Sequence, residues 1–209
     1  MKSLQNLLSL GVAAALGIAT FASTASAEAP SDVKEIKAIQ DRGVLRVGVK
    51  NDVVGFSVKD PLSGEYTGFE DTLATLIAKE IGEDIEVEFT AVTAATRSEL
   101  IDSGDLDCVL ATFTITPERK KNWDFSTAYY QDAVSVLVEN KSEIHHLKDL
   151  LGKTVGVSSG STSAKALVQA MIDNKILDGK NFNADKFDPA TWSEGVKFHQ
   201  FDNYPAIST

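Results

Sequence analysis

Threonines alternate at positions 112, 114 and 116, and Pro117, Glu118 and Arg119 follow them. Thr116 suits a helix N-cap, and Pro117 suits the first helical position, where its missing N–H costs nothing. Arg119 then falls in the first turn, where the helix dipole disfavours a cation and a capping box would use Glu or Gln. An anion held between free helix N–H groups and the guanidinium resolves that conflict. The alternative is a lone Arg turned to solvent, but the hydroxyls at the same spot favour a carboxylate site. Two further cations belong with it. Lys50 ends the first strand, and Arg97 follows the second. Each alone reads as a solvated side chain. Together with Arg119 they form three cations on loops converging at the carboxyl edge of a sheet, where open α/β folds place ligands, and so they point to an anionic ligand.

Gly160-Ser161-Thr162 lies between a predicted strand and helix, so its hydroxyls and N–H groups could meet a carboxylate from a second side. A simple tight turn with an N-cap explains the same residues. Residues 156–160 also spell G-x-S-x-G between a strand and a helix, as a nucleophile elbow does. A triad would need a downstream acid and histidine. His199 is the only downstream histidine and falls inside a strand pattern, so the match is read as coincidence. His145 and His146 lack ligands at metal spacing beyond Glu143, and there is no phosphate loop, dinucleotide fingerprint or zinc signature. No catalytic residue, metal or cofactor is expected. Cys108 is the single cysteine, within an apolar run, and reads as a packed thiol.

The elements that must position these groups follow from periodicity. Residues 44–49 read as the first strand, 85–92 as the second and 106–110 as a buried third. A helix opens at Gly68-Phe69-Glu70, with Leu73, Leu76, Ile77 and Ile81 inward, and stops at Gly82. Residues 96–103 form a short helix, and a further strand is expected over 132–138. This β-α-β-α-β order predicts a parallel sheet with helices on its faces. Residues 60–64 are a turn between two extended pieces. The pattern restarts after residue 142: a short helix at 147–151, a strand at 153–157, and a helix at 164–175 with Leu167, Val168, Met171 and Ile172 inward. A polar loop then spans 176–195, before a strand at 196–201 and a helix starting at 203. The expected organisation is residues 28–138 as a first lobe and 139–209 as a second, smaller one.

The 20 basic against 30 acidic side chains leave a net charge of −10, which argues against nucleic acid or an anionic membrane as partner. A local basic pocket remains compatible with that total. Residues 1–27 read as a secretory signal: Lys2 at the start, a mostly apolar run too short for a membrane span, then Ala25-Ser26-Ala27 as a small-x-small cleavage site.

The order strand, T-x-T-x-T-x-E-R, then Trp123-Asp124-Phe125-Ser126 and Tyr129-Tyr130, resembles the polar amino-acid-binding proteins of bacterial ABC importers. The resemblance runs from about residue 44 onward. Asp71-Thr72 departs from the family's helix-opening signature, where an apolar residue and an acid are usual. The resemblance implies a two-lobed α/β periplasmic binding protein of type II, with a ligand cleft between lobes and a hinge near residues 134–139. Its second lobe would be incomplete, lacking roughly the last quarter of a full-length member and the aspartate that meets the ligand ammonium. It implies that Arg119 holds the ligand α-carboxylate, with Thr112 and Thr114 offering hydroxyl and backbone groups. It further implies that Lys50 and Arg97 reach the side chain of an acidic ligand, and that Ser161, Thr162 and Tyr204 complete the site. The implied function is periplasmic capture of aspartate or glutamate, then glutamine, by a monomer that delivers it to an inner-membrane ABC permease. A periplasmic enzyme on the same fold, resembling cyclohexadienyl dehydratase, and a sensor module are the other classes.

Overall fold

The structure, a computed structural model, describes residues 33–207. The expected signal segment, residues 1–27, lies outside the described residues.

The first lobe is built around β1 (Val44–Val49), whose alternation buries Leu45, Val47 and Val49 on one face. β5 (Glu86–Ala91) and β6 (Cys108–Leu110) flank it, both parallel to it, with Val47 opposite Phe89 on one side and Cys108 on the other. Helices α1 (Lys34–Arg42) and α2 (Phe69–Ile81) cover the Leu45/Val47/Val49 face through Ile39, Ala74, Ala78 and Ile81. The opposite face packs on Val92, Leu106 and Ala111, next to α3 (Arg97–Asp102). Gly48 lets that packing close, since a Cβ there would stand 2.7 Å from Leu106 Cδ1. The predicted parallel β-α-β-α-β core is therefore present. A small antiparallel sheet, which the sequence showed only as a turn between extended pieces, joins β2 (Asp52–Val53), β3 (Ser57–Lys59) and β4 (Tyr66–Thr67).

The second lobe has two parallel strands, β7 (Thr154–Ser158) and β8 (Lys197–Phe201), with α4 (Ser163–Asp173) packed against them. Val168 and Met171 of α4 are fully buried. The 176–195 segment is irregular, as expected, but its aromatics are not idle. Phe182, Phe187 and Trp192 stack on one another with ring centroids 5.5–5.9 Å apart, and Phe187 also meets Phe198 of β8. These rings supply apolar area that a two-stranded sheet and one helix lack.

Three expectations are corrected. Residues 132–138 form no strand; Val134 and Leu137 are 54% and 87% exposed. Alternating apolar residues make a strand only when a ladder partner lies alongside, and the described residues bring none. The segment after Pro117 is a single 3-10 turn, Arg119–Lys121, rather than an α-helix. Leu76 is 54% exposed, because the inward face of α2 is set by Glu70, Asp71, Ala74, Ala78 and Ile81. Cys108 is half-buried, and burial pushes its thiol up to about 12. Among the described residues no helix is long and apolar enough to cross a membrane.

Candidate functional site

β1 ends at Val49, and the next residue, Lys50, is fully buried at the carboxyl edge of the sheet. Its ammonium Nζ has no hydrogen-bond partner among the described residues. It stands 3.7 Å from Asp52 Oδ1 and 5.8 Å from the centroid of the Tyr204 ring. Burial pulls its pKa below the ordinary lysine value, Asp52 opposes that fall, and Arg97 adds to it. The backbone here is pinned from below: Ser57 Oγ lies against both the Lys50 carbonyl and Asp71 Oδ1, at 2.7 Å from the latter.

Arg97 opens α3 and is 2% exposed. Its Nη1 donates to the carbonyls of Ala111 (2.6 Å) and Thr112 (3.1 Å), and its guanidinium carbon lies 4.1 Å from the Phe113 ring centroid. Burial, and then the nearby Arg119, bring its pKa down to about 10. Arg119 rests on the same Phe113 ring at 4.5 Å. Thr116 Oγ1 accepts the Arg119 N–H at 3.2 Å, so the expected capping survives although only one turn follows. A single 3-10 turn has little dipole, so the argument from an unfavourable helix start loses its force. What holds the guanidinium is direct: Nη1 donates to the Thr114 carbonyl at 2.8 Å, and Nη2 to the Gly160 carbonyl at 3.0 Å, on the second lobe.

Thr112 carries the loop that links these cations. Its φ of +49° is the left-handed region that β-branched residues avoid. Two buried charges hold it there. Arg97 grips the carbonyls on either side of its amide, and Glu70 Oε1 accepts the Thr112 N–H at 2.8 Å. Glu70 Oε1 also accepts the Tyr129 hydroxyl at 2.8 Å, while its Oε2 is buried without a hydrogen-bond partner among the described residues. Burial raises the Glu70 pKa, and these two donors only partly offset it. Sequence reasoning used Glu70 as a helix opener and missed it here. A Cβ at Gly68 would lie 2.1 Å from the Phe56 carbonyl oxygen, so α2 starts hard against the turn between β2 and β3.

From the second lobe, Gly160 contributes its carbonyl rather than an N–H group. Its φ is +73°, and a Cβ would stand 2.5 Å from the Ala94 carbonyl oxygen of the first lobe. Ser161 Oγ accepts the Ser163 N–H at 3.4 Å, a turn contact just before α4. Thr162 follows as the residue preceding α4. A second tie between lobes runs from Lys165 Nζ to Glu118 Oε1 at 3.2 Å. The structure thus gathers Lys50, Arg97, Thr112, Thr114, Arg119, Gly160 and Tyr204, with Ser161 and Thr162 at the margin. Ser158 Oγ is buried with no hydrogen-bond partner among the described residues, and the His199 ring instead packs on Phe201 at 4.7 Å. No cluster of three or more metal-ligating side chains occurs among the described residues.

These cations stand where the two α/β lobes meet, with Arg119 bonded to Gly160 across the boundary. The chain belongs to family 3 of the bacterial extracellular solute-binding proteins, whose profile matches residues 45–184. It is 37% identical over 159 residues to the glutamine-binding protein of Geobacillus stearothermophilus, an alignment covering 75% of this chain and 61% of that protein. It is 35% identical over 187 residues to the ABC transporter glutamine-binding protein GlnH of Bacillus subtilis, covering 87% of this chain and 68% of that one. Among solved structures, an ancestral amino acid-binding protein described as a precursor of cyclohexadienyl dehydratase superposes with a TM-score of 0.64 at 33% identity, over 83% of this chain and 68% of that one. The chain therefore spans about two thirds of the length of these relatives.

Proposed function

We propose that the protein captures a polar amino acid outside the cytoplasmic membrane, in the periplasm, for import by an inner-membrane ABC permease, acting as a monomer and without chemistry. The observation that carries this reading is the trio of Lys50, Arg97 and Arg119 around the Phe113 turn, two of them resting on one aromatic ring and one already bonded to the opposite lobe. A guanidinium has five N–H donors. Arg119 spends two bonds on the Thr114 and Gly160 carbonyls, so a ligand α-carboxylate can share the remainder. Thr112 and Thr114 line that position, and Ser161, Thr162 and Tyr204 close it from the second lobe.

The buried Lys50 ammonium, with donors to spare, then meets the end of the ligand side chain, which must carry an acceptor oxygen. Glutamine, glutamate and aspartate meet that requirement, and lysine and arginine do not. The resemblance ranks aspartate and glutamate ahead of glutamine as partners for Lys50. Asp52 opposes it at 3.7 Å, and the relatives named above are glutamine-binding proteins, so the amide ranks with the acids. Calorimetric titration with glutamine, glutamate, aspartate and arginine tests the reading. The first three should bind and arginine should not; tight arginine binding overturns it.

A further inference from the structure

The contact at the end of β1 carries a consequence for selectivity. Lys50 and Asp52 flank Asn51 at the cleft edge, with Nζ and Oδ1 3.7 Å apart. The ammonium is 1% exposed and the carboxylate side chain 14%, so water screens the pair poorly. At this separation neither atom makes a regular hydrogen bond, and both Lys50 Nζ and Asp52 Oδ1 lack any other partner among the described residues. The attraction is therefore one of charge, and the ammonium keeps its donors free. The other charges near Lys50 are Arg97, which repels it, and Glu70, which attracts it less than Asp52 does.

We infer that Asp52 is a specificity-determining residue: its carboxylate cancels the charge of Lys50 without consuming its hydrogens, so that Lys50 offers a donor to an amide or an acid alike. This rests on the proposed role of Lys50 toward the ligand side chain. Without Asp52 the ammonium would present a bare positive charge, and a ligand carboxylate would gain far more than an amide oxygen. Asp52→Asn removes the charge and keeps the shape. A fixed anion near a ligand carboxylate in a poorly screened site is worth a tenfold effect or more.

The test is calorimetric titration of the 209-residue protein and its variants with glutamine, glutamate and aspartate at neutral pH, read as the ratio of acid to amide affinity. NMR chemical-shift titration extends the range to weak binding. Asp52→Asn should raise the glutamate-to-glutamine ratio about tenfold or more, and Asp52→Ser should do the same. Lys50→Met should lower that ratio. A lowered ratio in Lys50→Met with less than about a threefold change in both Asp52 variants overturns the inference while leaving the Lys50 assignment in place. An unchanged ratio in Lys50→Met, or no binding of any of the three ligands by the parent chain, removes the Lys50 assignment and the inference with it.

Discussion

The two lobes bring opposite kinds of group to the cleft. The first supplies charge: Lys50, Arg97, Arg119, Asp52 and Glu70, each locked by burial or by backbone acceptors. The second supplies mainly backbone and small polar groups: the Gly160 carbonyl, the Ser161 hydroxyl and the N-terminal turn of α4. Charged groups must be paired or hydrogen-bonded at every stage, which suits a lobe with a three-stranded sheet and two packed faces. Backbone groups need only the right turn, which a two-stranded lobe can hold. On the proposed function, the difference assigns recognition to the charged side and leaves the backbone side to respond to closure.

Breaking the charged side should have the largest effect. Arg119→Ala removes the proposed α-carboxylate partner and the bridge to Gly160 together. The expected loss of ligand affinity is about 3–5 kcal/mol, as for a broken buried ion pair. Arg119→Lys should recover little, since one ammonium cannot reproduce the two-armed contact. Calorimetry with glutamine and glutamate decides; affinity within threefold of the parent would show that the first lobe does not dominate.

Breaking the backbone side should cost less. Gly160→Ala forces a left-handed alanine against the Ala94 carbonyl, at about 1–3 kcal/mol. The loss should fall on affinity and on closure seen by small-angle scattering. The thermal transition of the first lobe should hardly move. A collapse of both would mean that the loop is structural rather than a reporter of closure.

A change in stability rather than affinity sharpens the comparison within the first lobe. Glu70→Ala leaves the Thr112 N–H and Tyr129 hydroxyl without their acceptor, at about 1–3 kcal/mol of stability. Glu70→Gln retains the acceptor and should recover most of it. The folded pKa of Glu70 lies above its ordinary value of 4.5, so the folded state binds the extra proton. The wild type should therefore lose stability relative to Glu70→Gln as pH rises through the window that begins near 4.5 and ends at the raised value. Urea melts across that range check the sign; a wild type that gains on the glutamine variant with rising pH would contradict it.

Much of this was legible in the sequence, and the failures have physical causes. The core strands were readable because residues 44–49 and 106–110 are apolar and meet helices of matching period. The three cations were readable because strand ends are fixed points in a parallel sheet. Their restraints were not. Nothing in local pattern says that Arg97 would spend itself on the Ala111 and Thr112 carbonyls. Glu70 was hidden by its ordinary role at a helix start. Residues 132–138 show the converse error, in which a local pattern reads as a strand although no partner strand accompanies it among the described residues. In the 176–195 segment, polar residues masked three aromatics that pack together.

The buried thiol of Cys108 has a practical consequence. Burial pushes its pKa up to about 12, which leaves little thiolate at neutral pH and should slow alkylation by dyes. A second cysteine placed at the exposed rim of either lobe would then be the one labelled. If the proposed function holds, a fluorophore coupled there would change its surroundings as ligand draws the lobes together, with no prior cysteine removal needed.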